Sequence, residues 1–136
     1  MDRTLVIVKP DGVERRLTGE ILSRLERKGL RLIAAELRVI PRDVAEEHYG
    51  EHAEKPFFGD LVDFITRSPA LLAVVEGPQD TYKVVRTLMG ATNPAEAAPG
   101  TIRGDFAIEM TENLIHGSDS PESAAAEINR FFPGLS

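Results

Sequence analysis

The run Thr4-Leu5-Val6-Ile7-Val8 is β-branched and almost wholly apolar, and Pro10-Asp11-Gly12 closes it off. A half-solvated strand would alternate, so a run of this kind reads as a strand buried on both faces. Lys9 ends it and has two readings: a solvated strand end, or a cation aimed into a site at the rim of the sheet.

The rest of the chain alternates between helical and strand-like patterns. From about Thr18 to Lys28, Ile21, Leu22 and Leu25 recur at helical spacing, with Glu20 and Arg24 on the other side and Gly29 as a stop. Leu30 to Ile40 reads as a second strand, ended by Pro41, after which Asp43 is placed to cap a short helix through about Tyr49. Lys55-Pro56-Phe57-Phe58 opens a helix that buries Phe58, Leu61, Val62 and Ile65. Ala70 to Glu76 is a third strand, and Asp80 to Met89 a helix that Gly90 stops. A connection rich in Ala, Pro, Gly and Thr spans residues 91–104, a length at which loops are usually functional or disordered. Asp105 to Met110 is then the expected fourth strand, and the last helix runs from Pro121 to about Phe132. This order predicts one α+β domain over residues 1–136, a ferredoxin-like split βαβ sandwich with a four-stranded antiparallel sheet and flanking helices.

Composition removes several function classes. There are no cysteines among the 136 residues, which excludes disulfides and thiolate metal sites. The longest apolar runs, Leu5 to Val8 and Ala70 to Val75, are too short to span a bilayer, and no signal-peptide pattern precedes the first strand; a cytoplasmic protein without membrane partners is expected. A net charge of -6 argues against general nucleic-acid binding but leaves room for a local basic pocket. All the basic residues but Lys9, Lys28, Lys55 and Lys83 are Arg, the better side chain for forked phosphate contacts. Neither GxxxxGK[ST] nor GxGxxG occurs.

The stretch from Asn113 to Ser120, Asn-Leu-Ile-His-Gly-Ser-Asp-Ser, carries the candidate chemistry. Placed on a strand-to-helix connection, His116 offers a nucleophilic nitrogen that needs no activating base. Gly117 allows a tight turn or close approach to a ligand, and Ser120 with Pro121 reads as a helix N-cap and first helical residue, whose free amides favour an anion. A histidine beside an anion site suggests phosphoryl transfer; a solvated loop histidine is the plainer reading. Glu127 borders the buried side of the last helix and needs a partner, for which an imidazole N–H is chemically apt. His48 and His52, four apart, could suggest a metal site, but no clear third ligand lies nearby, and a solvated helix end is the better account. Tyr49 is either a packing residue or a hydroxyl donor in a cleft. Phe57 and Phe58 cannot both face one core, and Phe57 is the candidate for stacking on a flat ligand. Arg86, taken singly, reads as a solvated helix residue. Thr92, Asn93 and Arg103 make the long connection read as a binding loop.

Taken together, five ordered motifs resemble the nucleoside diphosphate kinase family over essentially the whole chain. They are the opening residues 4–12, Lys55-Pro56-Phe57-Phe58, Thr92-Asn93-Pro94, residues 99–106 (Pro-Gly-Thr-Ile-Arg-Gly-Asp-Phe) and the stretch 113–120. The resemblance implies a ping-pong reaction in which a nucleoside triphosphate such as ATP or GTP, with Mg²⁺ held by its phosphates and not by protein ligands, passes its terminal phosphoryl group to His116 and then to a nucleoside diphosphate. By position it implies that Lys9 and Asn113 contact the sugar hydroxyl, that Arg86, Thr92 and Arg103 bind phosphate, and that Phe57 stacks on the base. Tyr49 is similar to a phosphate-side hydroxyl, and Ser118 with Glu127 to the group that orients His116. Broad base and sugar tolerance and a homo-oligomer, a hexamer rather than a tetramer, are also implied. Ala91 departs from the Glu that many relatives carry there, and the chain stops soon after Phe131-Phe132-Pro133-Gly134; both bear on assembly. Two rivals remain: a non-enzymatic ferredoxin-like module that binds nucleotide or a partner, and a metal hydrolase using His48, His52 and His116.

Overall fold

The computed structural model describes residues 1–135. Strand β1 (Asp2–Val8) lies inside a four-stranded sheet, between β3 (Ala70–Gly77) and the short β4 (Ile115–Gly117), with β2 (Arg31–Arg38) beyond β3. Every pairing is antiparallel, with Val6 opposite Ala73 and Ile7 opposite both Leu72 and His116. This is the expected α+β arrangement.

The apolar run in β1 is divided between two cores. Val6 and Val8 point to one face, where they meet Ile21 and Leu25 of α2 (Thr18–Lys28) and Val85 and Met89 of α5 (Thr81–Met89). Leu5 and Ile7 point to the other, against Ala45 of α3 (Arg42–His48), Val62 and Ile65 of α4 (Phe58–Thr66) and Phe131 of α7 (Pro121–Phe131). All four strand residues are completely buried, each contributing about 1.5–3 kcal/mol of transfer free energy. Among the described residues no helix is long and apolar enough to cross a membrane.

Several expectations are corrected. Pro10-Asp11-Gly12 does not merely bound the strand: it starts a short helix, α1 (Pro10–Glu14), with Pro at the first helical position. The second strand is shorter than 30–40 and lies at the sheet edge, with an irregularity between Leu32 and Ala34. Asp43 does not cap α3, because the helix already begins at Arg42 and Pro41 occupies the cap position. The largest correction is the fourth strand. Residues 102–106 form a helix, α6 (Ile102–Phe106), started by Thr101, whose hydroxyl accepts from Gly104 N–H. Ile108 and Met110, the apolar residues that suggested a strand, are 89% and 61% exposed. The fourth strand is instead Ile115–Gly117, so His116 lies within the sheet and not on the connection after it.

Candidate active site

The nucleophile candidate is held from three sides. β4 pairs with β1 over only three residues, flanked by backbone bonds from Ser118 N–H to Leu5 O (3.2 Å) and from Lys9 N–H to Leu114 O (2.8 Å), and side chains add to that support. Arg103, 4% exposed, donates from Nε to Asn113 O (3.2 Å), from Nη1 to Gly90 O (3.1 Å) and from Nη2 to Ile115 O (2.6 Å). Arg86 donates from Nη1 to Gly117 O (3.0 Å). Gly117 has a packing reason beyond the turn expected of it, since a Cβ there would stand 2.6 Å from Met89 Sδ and 3.1 Å from Val85 Cγ1. Glycine thus lets α5 pack closely on β4, where Arg86 reaches that carbonyl, without displacing Met89 or Val85.

α7 starts as the sequence indicates, with Ser120 Oγ accepting from Ser123 N–H at 3.0 Å and Pro121 at the first position. Two turns on, Glu127 meets the imidazole: Oε1 lies 2.7 Å from His116 Nε2 and accepts from Ser118 Oγ at 2.9 Å. Burial alone would raise this carboxyl, but the His116 contact and the Ser118 hydroxyl hold it below the usual carboxylate range. A carboxylate on Nε2 keeps the proton there and leaves the lone pair on Nδ1.

On the rim of the sheet, Lys9 is not a solvated strand end. Its Nζ donates to Asn113 Oδ1 (2.8 Å), and Asn113 Nδ2 donates to the Thr92 carbonyl (3.0 Å), tying the end of β1 to the approach to β4 and to the long connection. Burial, then the Arg103 guanidinium, pulls the ammonium down to about 8, with Asp11 opposing. Arg103 is itself lowered to about 10 by burial and by neighbouring Arg86. With three of its five N–H groups spent on carbonyls, it retains two donors for a ligand.

A cavity of about 200 Å³ opens over His116, lined also by Tyr49, His52, Arg86, Asp119 and Glu127. Burial, with Glu127 nearby, pushes the Tyr49 phenol up to about 12, so it remains a hydroxyl donor at neutral pH. Phe57 is 44% exposed while Phe58 packs against the core, as their adjacency predicted. Thr92 is exposed, and of its groups the carbonyl is the one engaged.

His48 corrects the reading of a solvated helix end. Its ring stands edge-on to His116, centroids 4.8 Å apart, and packs against Phe131. A signal was available: His48 lies one turn beyond the buried Ala45 on the same face of α3. His48, His116 and Glu127 bring three ligand atoms within 4.8 Å of one another, whereas His52 is not part of that group among the described residues. Arg130 Nη1 sits 3.2 Å from His48 Nδ1. Since arginine can only donate, that nitrogen is an acceptor and the ring neutral; burial, with His116 and Arg130 adding to it, lowers His48 to about 3.

A family model for nucleoside diphosphate kinase matches residues 2–135. The chain belongs to the nucleoside diphosphate kinase family. A relative named nucleoside diphosphate kinase from Parafrankia sp. is 62% identical over 99% of this chain and 98% of its own length. A crystal structure of a nucleoside diphosphate kinase family protein from Babesia bovis superposes with a TM-score of 0.95 at 50% identity, over 98% of this chain and 89% of that one. The structure of a halophilic nucleoside diphosphate kinase from Halobacterium salinarum in complex with CDP superposes with a TM-score of 0.93, also at 50% identity, over 97% of this chain and 88% of that one.

Proposed function

We propose that His116 is the nucleophile of this nucleoside diphosphate kinase, and that the whole chain acts as one catalytic domain. The observation that carries this reading is the Ser118–Glu127–His116 chain of short contacts, which turns Nδ1 into the free lone pair at a cavity. In the first half-reaction Nδ1 attacks the terminal phosphorus of a nucleoside triphosphate; the N–P bond forms, the bridging P–O bond breaks and the diphosphate leaves. In the second, a terminal oxygen of the acceptor diphosphate attacks that phosphorus and the N–P electrons return to Nδ1. Glu127 balances the positive charge that grows on the ring during attack. Phosphoryl transfer asks a protein mainly for position and charge stabilisation, and Arg86, Arg103, Thr92 and Tyr49 are assigned to the phosphates. Lys9 and Asn113 are assigned to the sugar hydroxyl. An exposed Phe57 face reads no base edge, in keeping with acceptance of purine and pyrimidine nucleotides, ribo and deoxy.

The described residues test poorly as a resident Mg²⁺ site. Their one convergent ligand group, His48, His116 and Glu127, is rich in nitrogen where Mg²⁺ prefers oxygen. Mg²⁺ is therefore assigned to the nucleotide's own phosphates, where it supplies charge neutralisation when bound. A cytoplasmic homo-oligomer, a hexamer in preference to a tetramer, completes the reading; the exposed Leu37 and Val39 at the β2 edge support self-association, and sedimentation gives its size.

The deciding experiment adds γ-labelled ATP and Mg²⁺ without acceptor, then GDP or CDP. Acid-labile, base-stable label on the wild-type chain, absent from His116→Ala and discharged to either acceptor, is expected. Nucleotide binding without any labelled protein would overturn the assignment and favour a binding module.

A further inference from the structure

Asp11 is 2% exposed, and the transfer reaction as derived above gives it no part. Its Oδ2 accepts from the backbone N–H of Leu114 at 3.1 Å, while the carbonyl of that same Leu114 accepts from Lys9 N–H at 2.8 Å. Leu114 needs both restraints. Its φ is +77°, a left-handed conformation that a branched side chain rarely takes unless its surroundings impose it. The preceding residue is Asn113, whose amide joins Lys9 to Thr92, and two residues on stands His116. Orientation of the sugar-side amide and of the nucleophile's strand thus passes through one strained peptide, and Asp11 holds it.

Holding a peptide N–H does not itself require a charge. An asparagine oxygen could accept the same bond without placing a carboxylate in the interior. The neighbouring Gly12 N–H also favours the carboxylate, and Oδ1 makes no hydrogen bond among the described residues. The first charged group acting on the carboxylate is Lys9, whose own backbone N–H is bonded to the carbonyl of Leu114. The charged groups that act on Lys9 are Asp11, opposing loss of the proton, and Arg103 from α6, favouring it. Burial raises the Asp11 carboxyl above its ordinary range; Lys9 and the N–H groups of Leu114 and Gly12 oppose that rise, and Glu112, from the segment before β4, adds to it. The buried anion therefore offsets the nearby guanidinium at the ammonium that Asn113 holds in the site.

We infer that Asp11 is a positioning residue for phosphoryl transfer: its carboxylate fixes the left-handed Leu114 peptide that aims Asn113 and the His116 strand, and its negative charge balances the ammonium of Lys9, which bonds the other side of that same peptide. This rests on the assignment of Lys9, Asn113 and His116 to the reaction.

Asp11→Asn separates the two roles, because it keeps an acceptor for Leu114 and removes the charge; Asp11→Ala removes both. Transfer from ATP to a diphosphate acceptor is measured from pH 6 to 10, with melting curves on each variant. Asp11→Asn should fold, retain kcat within about threefold at pH 7, and show the basic limb of kcat/KM displaced to lower pH by at least half a unit. On a Lys9→Gln background the same substitution should move no limb. Asp11→Ala should raise KM at least tenfold beyond Asp11→Asn; should it fail to fold, the limb shift in Asp11→Asn decides alone. An unmoved limb in Asp11→Asn, or an equal shift without Lys9, overturns the proposal. Labelling of wild type with γ-labelled ATP is run alongside: no label there would sink the His116 assignment, whereas label together with an unmoved limb sinks only the role of Asp11.

Discussion

Replacing Glu127 by Gln isolates the charge on the carboxylate that contacts His116, the proposed nucleophile. The carboxylate is contacted at 2.7 Å by His116 Nε2 and at 2.9 Å by Ser118 Oγ, and Gln is of nearly the same size. A hydrogen bond involving an ion is worth about 1.5–3 kcal/mol and a neutral one about 0.5–1.5 kcal/mol. The difference, roughly 1–2 kcal/mol, applies chiefly as positive charge develops on the ring, so kcat should fall about 5- to 30-fold. KM should stay nearly constant, because Glu127 is not among the groups assigned to the nucleotide. Steady-state kinetics with saturating Mg²⁺ measure both. A large rise in KM with kcat intact would refute the argument, since it would place Glu127 on substrate and not behind the imidazole. Stability gives an independent check with a fixed sign. The carboxyl is held below its ordinary value of 4.5 in the folded chain, so its contribution is present above that value and lost as pH falls through the lower, folded one. The melting temperatures of wild type and Glu127→Gln should differ at pH 7 and converge in acid.

Other outcomes follow from the same geometry. Because the Lys9 ammonium titrates at about 8, kcat/KM should decline as pH rises through that value, and Lys9→Gln should remove the decline together with most of the activity. Gly117→Ala places a methyl against Met89 Sδ and Val85 Cγ1; urea denaturation should show a loss of about 1–3 kcal/mol, with kcat lowered as Arg86 is displaced. Phe57→Ala should weaken nucleotide binding by roughly 1–3 kcal/mol, equally for all four bases in a titration series; a loss confined to one base would contradict stacking.

What could be read from the residues is what one segment decides for itself. Thr4 to Val8 announced a doubly covered strand because neither face carries polar residues, and Ser120-Pro121 announced a helix start because capping is local. Adjacent Phe57 and Phe58 could not share a core, and they do not. Glu127 was legible because a carboxylate at an apolar border has to find a partner. The misreadings concern tertiary context. β4 has three residues, too few for any periodicity, whereas residues 106–110 look strand-like although Ile108 and Met110 face solvent. His48 was weighed against His52, four residues on, when the informative neighbour was Ala45 one turn back. Asp11 sits in a turn-like triplet whose burial depends on Leu114, more than a hundred residues away in sequence.

The brevity of β4 has a consequence for how the site fails. An edge strand of three pairs has little ladder of its own, and the backbone on either side of His116 is kept in place also by guanidinium and carboxylate groups from α1, α5 and α6. Local stability there is borrowed from those helices. Fraying of the edge is therefore suppressed as long as the helices stay docked, and the strand that carries His116 belongs to the same cooperative unit as the core despite its position at the margin of the sheet.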